Sequence, residues 1–177
     1  MRHSLPIPAV LVLGLVLAAP IPAAAEAWRE QSEATLDGRA VTSIEIRNAR
    51  GVIDVRPSAD GAIHVRALKT ARSRTAAEAR QLADRTLVKI DRGPALRIEV
   101  VYPRLVHHVN LWRHSGDDDS PKSEVRFAIE IPARLAATLV VSSGDIRTEG
   151  LAAAQTLRSA SGEIRVLDAG GPVNARS

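Results

Sequence analysis

The chain has 177 residues, enough for one domain with a substantial hydrophobic core. It contains no cysteine, which excludes a disulfide-stapled fold and a lipid anchor on an N-terminal cysteine. The formal net charge is only +4 and aromatic residues make up 2% of the chain, so a nucleic-acid surface built on base stacking is not expected.

The N-terminus predicts an export signal. A short cationic start precedes an uncharged apolar run, Ala9–Ala19, which is shorter than the about 20 residues of a membrane-spanning helix. The small residues of Ala23–Ala25 match the sequence that signal peptidase accepts. We therefore expect residues 1–25 to be a cleaved signal peptide and the mature chain to begin at Glu26, although a cut before Trp28 also fits. The product is expected in the periplasm or secreted, without a lipid anchor.

The next segment is interpreted as an N-terminal linker, residues 26–40, followed by a single β-strand-repeat domain over residues 41–177. From residue 64 to 97 the domain has nine basic and three acidic side chains, an excess of six positive charges that attracts anions. Lys69, Arg72 and Arg74 are the candidate residues for binding anionic lipid headgroups or acidic polysaccharide. A solvated basic surface without a ligand is the alternative.

One sequence unit recurs within the domain: an apolar residue, a glycine five positions later, and two mostly apolar residues at alternate positions after it. The three copies are Ile46/Gly51/Ile53/Val55, Leu139/Gly144/Ile146/Thr148 and Leu157/Gly162/Ile164/Val166. Alternation with a period of two predicts β-strands, and glycine allows a sharp corner between them. The last two copies are 18 residues apart, which favours a stacked β-solenoid over a helical array. A β-meander with simple hairpin turns is the alternative.

The region between the first copy and the later ones predicts one short helix and a β-hairpin insert. Thr75 and Glu78 match a helix capping box, and apolar residues at helical spacing follow over residues 76–86. The predicted strands of this region are Ile63–Val65, Leu87–Asp91, Leu96–Tyr102 and Ser123–Ile131, the middle two joined by a Gly-Pro turn.

This order of elements resembles the bacterial putative adhesin family of β-strand-repeat proteins, which is largely of unknown function. The resemblance covers Val41 to Ser177 and rests on Gly51-x-Ile53-x-Val55, on Ile131-Pro132, and on the Ser-Gly-Asp-Ile and Ser-Gly-Glu-Ile phrases. It implies a mostly β, solenoid (parallel β-helix-like) protein of the cell envelope with a binding or adhesin-like structural role. It implies no established catalytic residues, and Gly51, Gly144 and Gly162 are the predicted repeat corners.

The sequence carries no catalytic or cofactor signature, and we expect a protein that is not an enzyme and needs neither cofactor nor metal. One loop combines residue types that bind transition metals: His107, His108, His114 and Asp117–Asp119. Their spacing matches no known site, so a solvated acidic loop is the preferred interpretation.

Asp145 and Glu163 follow the glycines of consecutive units, where they are expected to stack. Carboxylate pairs serve glycosidases, so the alternative function is a carbohydrate-active enzyme, a glycosidase or polysaccharide lyase on a β-helix. Because acidic residues are also common turn formers, a structural role at the corner is the preferred interpretation.

The C-terminal segment predicts an interrupted repeat. Residues 133–177 hold the regular units, and Val173 to Ser177 parallels Leu157 to Ser161, which would place Val173 at the position of Leu157 in the next unit. A chain cut at this point would leave an open unit with unpaired backbone groups, so self-association through that end is expected.

Overall fold

The computed structural model describes residues 27–103 and 122–177. In these residues the chain is mostly β, with twelve strands and one short helix, α1 (Ala76–Arg85). The strands are β1 (Ala27–Leu36), β2 (Ser43–Arg50), β3 (Ile53–Pro57), β4 (Ile63–Arg72), β5 (Leu87–Asp91), β6 (Ala95–Val101), β7 (Lys122–Ile131), β8 (Ala136–Ser143), β9 (Ile146–Glu149), β10 (Gln155–Ser159), β11 (Ile164–Leu167) and β12 (Val173–Arg176).

The strands form two mixed six-stranded sheets. Sheet 1 has the order β1-β4-β7-β3-β9-β11, and sheet 2 has the order β12-β10-β8-β2-β6-β5. The pairs β7–β3, β3–β9 and β9–β11 are parallel in sheet 1, as are β6–β2, β2–β8, β8–β10 and β10–β12 in sheet 2. Antiparallel pairing is confined to β1, β4 and β5 with their neighbours. Each repeat copy thus has one strand in each sheet.

The three repeat copies lie side by side in matching register. In sheet 2, Leu139 pairs with both Ile46 and Leu157, the first apolar residues of the other two copies. In sheet 1, Ile146 pairs in the same way with Ile53 and Ile164. The residues that the sequence unit makes equivalent are therefore spatial neighbours, as expected when identical strands stack in parallel.

One hydrophobic core fills the space between the sheets. Alternate residues of each strand point inward, so that one row of sheet 2 runs through Ile98, Ile46, Leu139 and Leu157, which are all fully buried. Full burial of an Ile or Leu side chain contributes about 1.5–3 kcal/mol, so each residue of such a row stabilises the stack.

Helix α1 ends within one residue of its predicted limit. The hydroxyl of Thr75 accepts a hydrogen bond from the backbone N–H of Glu78 at 3.2 Å, as the capping signal predicts. In a complete capping box the carboxylate of Glu78 would accept a hydrogen bond from the backbone N–H of Thr75. Here it accepts one from the hydroxyl of Ser73 at 2.8 Å instead. Ala79, Leu82 and Ala83 form the buried side of the helix. No helix in residues 27–103 or 122–177 is long and apolar enough to cross a membrane.

Two strand assignments differ from the sequence prediction. Residues 27–36, assigned to a linker, form β1, which pairs with β4 along its whole length. Strand β4, predicted only over Ile63–Val65, extends to Arg72. The hydrophobic alternation is weak in both, because β1 is an edge strand with mostly exposed side chains and Lys69 interrupts the apolar face of β4. The hairpin β5–β6 forms as predicted, and β6 pairs with β2 as part of sheet 2.

The proposed parallel between Val173 and Leu157 is wrong by two residues. Val173 pairs with Gln155, and Ala175 is the partner of Leu157. Since Gln155 itself pairs with Ala137, sheet 2 keeps a constant spacing of 18 residues (155 − 137 and 173 − 155). The return segment between β11 and β12 repeats the one between β9 and β10, because the backbone N–H of Gly170 bonds to the carbonyl of Leu151 at 2.9 Å.

Candidate binding surfaces

The repeat corners are three stacked glycines. Gly51, Gly144 and Gly162 have φ values of +116°, +144° and +145°, which other residues rarely adopt. The N–H of Gly51 donates to Ser143 at 3.1 Å and that of Gly144 donates to Ser161 at 2.8 Å. A Cβ on Gly144 would overlap the carbonyl of Gly51, and one on Gly162 would overlap the carbonyl of Gly144. Glycine is therefore needed both for conformation and for the close approach of successive corners.

Asp145 and Glu163 follow two of these corners and lie next to each other. The carboxylate of Asp145 accepts a hydrogen bond from the backbone N–H of Glu163 at 2.9 Å. The carboxylate of Glu163 contacts Arg165 at 2.6 Å, and this hydrogen bond raises the pKa of Arg165. Both acids thus make contacts that link one corner to the next or to its own strand.

The three predicted anion-binding residues do not converge. The side chain of Lys69 is only 12% exposed and forms an ion pair with Glu30 at 3.1 Å. Arg72 is exposed and lies on the opposite face of β4, since the two positions differ by three residues. Arg74 precedes α1 and lies 3.9 Å from Glu78. Of the three, Arg72 alone forms no ion pair or side-chain hydrogen bond with another described residue.

A groove that the sequence did not predict crosses the outer face of sheet 1, with a volume of about 410 Å³. At one end the imidazole of His64 lies between the hydroxyl of Thr35 at 3.3 Å and the carboxylate of Asp60 at 2.9 Å. Hydrogen bonds from the backbone N–H of Ala62 and then from His64 lower the pKa of Asp60.

The charges of this groove are largely neutralised within it. Arg66 contacts Glu33 at 3.0 Å and lowers the pKa of that carboxyl, while Arg56 lies 3.2 Å from Asp54 and 3.6 Å from Glu149. Within the described parts of the chain, no three His, Asp or Glu side chains are arranged to hold a metal ion. The residues that line the groove come from four strands, β1, β4, β7 and β3, so only the strand order, which the sequence did not reveal, brings them together.

The outer face of sheet 2 has two halves of different charge. On β5, β6 and β2, acidic and basic residues alternate in both directions: Lys89, Glu99 and Arg47 form one row, and Asp91, Arg97 and Glu45 form the next. Glu45 contacts Arg47 at 2.6 Å and Arg97 at 3.0 Å, and these hydrogen bonds lower its pKa. This half is neutral overall.

On the other half, formed by β8, β10 and β12, the charged side chains are all basic. Its outward side chains are Thr138, Val140, Ser142, Thr156, Arg158, Ala160, Asn174 and Arg176, which we call the Thr/Arg face. In register, Val140, Arg158 and Arg176 form one row, and Thr138, Thr156 and Asn174 form the other. On the outer face of sheet 2, the charges on β5, β6 and β2 therefore balance, whereas the positive charges of Arg158 and Arg176 have no acidic neighbour on β8, β10 or β12.

The predicted metal-binding candidates His107, His108, His114 and Asp117–Asp119 lie outside the described residues.

No family model and no curated protein matches this chain. Among solved structures, it is similar to a "putative cell adhesion protein" from Clostridium sporogenes ATCC 15579, with 7% sequence identity, a TM-score of 0.40 and coverage of 84% of this chain and 99% of the other. It is also similar to a "putative adhesin" from Bacteroides fragilis NCTC 9343, with 6% identity, a TM-score of 0.27 and coverage of 83% and 97%. Likeness at this level assigns neither family nor function.

Proposed function

We propose that this chain is an exported protein of the bacterial cell envelope, in which the parallel units form a β-solenoid with a binding, adhesin-like structural role. The observation that carries the proposal is the register of the repeat copies, which matches in both sheets and at the glycine corners. Such a stack holds the outward side chains of successive strands about 4.7–4.9 Å apart on a rigid surface. Stacked repeats commonly use extended surfaces of this kind for binding.

The export part of the proposal rests on residues 1–25. Expression of the whole chain in a bacterial host, followed by fractionation and N-terminal sequencing, should give a periplasmic or secreted product that begins at Glu26. An Ala25→Arg variant should retain its N-terminus, because signal peptidase requires a small residue before the cut. Intact Met1 on folded cytosolic wild-type protein would contradict export.

The binding part of the proposal favours anionic envelope components, either lipid headgroups or polysaccharide. The mature chain should bind isolated envelope fractions at low ionic strength, with less binding at high salt because exposed charges are then screened. A parallel sample with a chelator tests whether the predicted His/Asp loop contributes through a metal. The absence of binding to every envelope fraction would count against a binding role.

The alternative function, a carbohydrate-active enzyme, would use Asp145 and Glu163. Retaining glycosidases place two carboxyl groups about 5–5.5 Å apart on either side of the scissile bond. The bonds of Asp145 to the backbone of Glu163, and of Glu163 to Arg165, instead favour a structural role at the corner. Release of reducing ends from polysaccharide by the wild type, and its loss in Glu163→Gln, would support the enzyme.

A further inference from the structure

We propose that the Thr/Arg face binds an acidic polysaccharide. Arg158 and Arg176 would hold its carboxylate or sulfate groups, and the row of Thr138, Thr156 and Asn174 would bond to its hydroxyls. This inference rests on the proposed binding role and adds to it a surface and a chemical class of partner. The surface is distinct from Lys69, Arg72 and Arg74, which the fold separates.

The first argument is uncompensated charge. Arg158 and Arg176 are exposed and directly opposite each other on neighbouring parallel strands, and like charges in this arrangement repel. Their cross-strand and same-strand neighbours on the face are uncharged: Val140, Thr156, Ala160 and Asn174. Within the described residues neither guanidinium has an ion pair or side-chain hydrogen bond. An anion between the two would remove the repulsion, and guanidinium groups bind carboxylate and sulfate oxygens with paired donors.

The second argument is the row of neutral polar groups beside the arginines. Thr138, Thr156 and Asn174 pair in register across three strands. They lie two residues from the charged row, a distance of about 6.6 Å along the strands. Hydroxyl and amide groups both donate and accept hydrogen bonds, which suits sugar hydroxyls. A polymer that carries acid groups and hydroxyls on each unit matches both rows at once.

The composition of the face argues against other polyanions. It has no aromatic side chain on which a nucleic-acid base could stack, and Val140 is its largest apolar residue, so it offers no anchor for insertion into a membrane. The equivalent arginine pair of sheet 1, Arg147 and Arg165, differs because Arg165 contacts Glu163 and Arg147 pairs in register with Asp54. That pair provides a matched control with the same charge and spacing.

The test measures binding of the mature protein to polygalacturonate, with neutral dextran and phosphatidylglycerol vesicles as comparison ligands. The double variant Arg158→Ala/Arg176→Ala should bind polygalacturonate at least about tenfold more weakly than the wild type, since two charge-assisted contacts are lost. The control Arg147→Ala/Arg165→Ala, with the same net charge, should stay within about twofold. Arg158→Lys/Arg176→Lys, which keeps charge but loses the paired donors, should fall between them.

Several results would overturn the inference. Equal losses in the two alanine pairs would show that net charge alone governs binding, and unchanged binding in Arg158→Ala/Arg176→Ala would exclude the face. Binding to vesicles but not to polygalacturonate would identify lipid as the partner. If Arg158→Ala/Arg176→Ala has a lower thermal midpoint than the wild type, the test rests on Arg158→Lys/Arg176→Lys instead. Wild-type affinity for polygalacturonate in that lysine variant would contradict the proposed binding by paired guanidinium donors. If all of these variants bind envelope fractions as the wild type does, the proposed binding function is retained but the Thr/Arg face is not its binding surface.

Discussion

At the scale of single residues, the stacked glycines set the geometry of the repeat. Gly144 is enclosed on one side by Gly51 and on the other by Gly162, and its positive φ places it where a Cβ has no room. Gly61 also has a positive φ, +76°, but no atom lies within 4 Å of the position that its Cβ would take. An alanine at position 61 would therefore meet only an unfavourable φ, whereas one at position 144 would meet both an unfavourable φ and a steric overlap.

Replacement of Gly144 by alanine should destabilise the protein far more than replacement of Gly61. Gly61→Ala should lower the free energy of unfolding by about 1–2 kcal/mol, because alanine must adopt a left-handed backbone conformation there. Gly144→Ala must also move the backbone of the neighbouring corner, which adds about 1–3 kcal/mol. Urea unfolding of both variants measures the difference in free energy of unfolding. Equal values would mean that the corners are not in close contact.

A partly buried cluster of polar groups beside the Gly51 corner centres on Tyr102, the one tyrosine of the chain. Its hydroxyl lies 2.6 Å from the side-chain oxygen of Asn48 and 2.9 Å from the carbonyl of Arg50. Asn48 in turn donates to the carbonyl of Val125 at 2.8 Å, which joins β2 to β7. Burial raises the pKa of Tyr102 to about 12, because the phenolate would lose hydration that the phenol does not need.

The raised pKa of Tyr102 predicts a loss of stability at alkaline pH. The folded-state pKa lies above the unfolded value of 10.0, so the contribution is complete below pH 10 and is lost as the pH rises towards 12. The two-unit shift, reduced for partial exposure, corresponds to about 2 kcal/mol. Absorbance of tyrosinate near 295 nm should titrate at about pH 12 in the folded protein. A midpoint near 10, as expected in urea, would show that the hydroxyl is solvated.

The Tyr102→Phe variant provides the control for this titration. It has no tyrosine, so the absorbance change should vanish, and it should lose less stability between pH 10 and 12 than the wild type. An identical pH dependence of unfolding in both proteins would assign the alkaline transition to other groups.

At the scale of elements, strong local signals led to correct assignments. The capping residue Thr75 and the Gly93-Pro94 turn were enough to predict α1 and the β5–β6 hairpin. Period-two alternation located β7 and the repeat strands. Strand β1 was missed because an edge strand with charged residues on its outer face has no hydrophobic alternation to detect, and its assignment depends on pairing with β4.

Strand pairing on the Thr/Arg face predicts that a charge reversal will stabilise the protein. Glutamate at position 158 would lie opposite Arg176 and replace repulsion by attraction, which is worth about 0.2–1 kcal/mol in a cross-strand pair. Arg147→Glu is the matched change in sheet 1, where the new acid would lie between Asp54 and Arg165, so that repulsion from one offsets attraction to the other and no net gain is expected. Chemical unfolding of Arg158→Glu at low and high salt measures the effect. A gain of equal size in both variants would point to net charge instead of the specific pair.

At the scale of the whole molecule, the sequence revealed the repeat but not how the rest of the chain joins it. The five-residue offset before each glycine predicted the neighbours of Ile46 and Ile53 in both sheets. The positions of β6 and β7 next to the first copy depend on parallel contacts between residues far apart in sequence, which no local pattern encodes. For the same reason, the groove around His64 and the Thr/Arg face became visible only from strand order and register.

The two described sheets end in the edge strands β1 and β5 on one side and in β11 and β12 on the other. Only the side with β11 and β12 favours association with a second molecule. The edge strand β5 carries Lys89 and Asp91, and β1 carries several charged residues, which discourage pairing with another chain. At the other end, β12 is exposed along its length, and Leu167 and Val173 are 58% and 41% exposed. Within the described residues no further strand pairs with the outer edges of β11 and β12, and their backbone groups therefore offer a template for a strand of a second molecule.

We expect the mature chain to self-associate through this end, so that its weight-average sedimentation coefficient rises with concentration. Val173→Lys should suppress the rise, because a charge on an edge strand opposes pairing. Leu87→Lys replaces the exposed apolar residue of the opposite edge, β5, by the same charged residue and should leave association unchanged. Hydrogen exchange offers a second measurement, since the amides of residues 173–176 should gain protection as the concentration rises. A strictly monomeric protein in which those amides are already protected at low concentration would show that this edge does not pair with a second molecule.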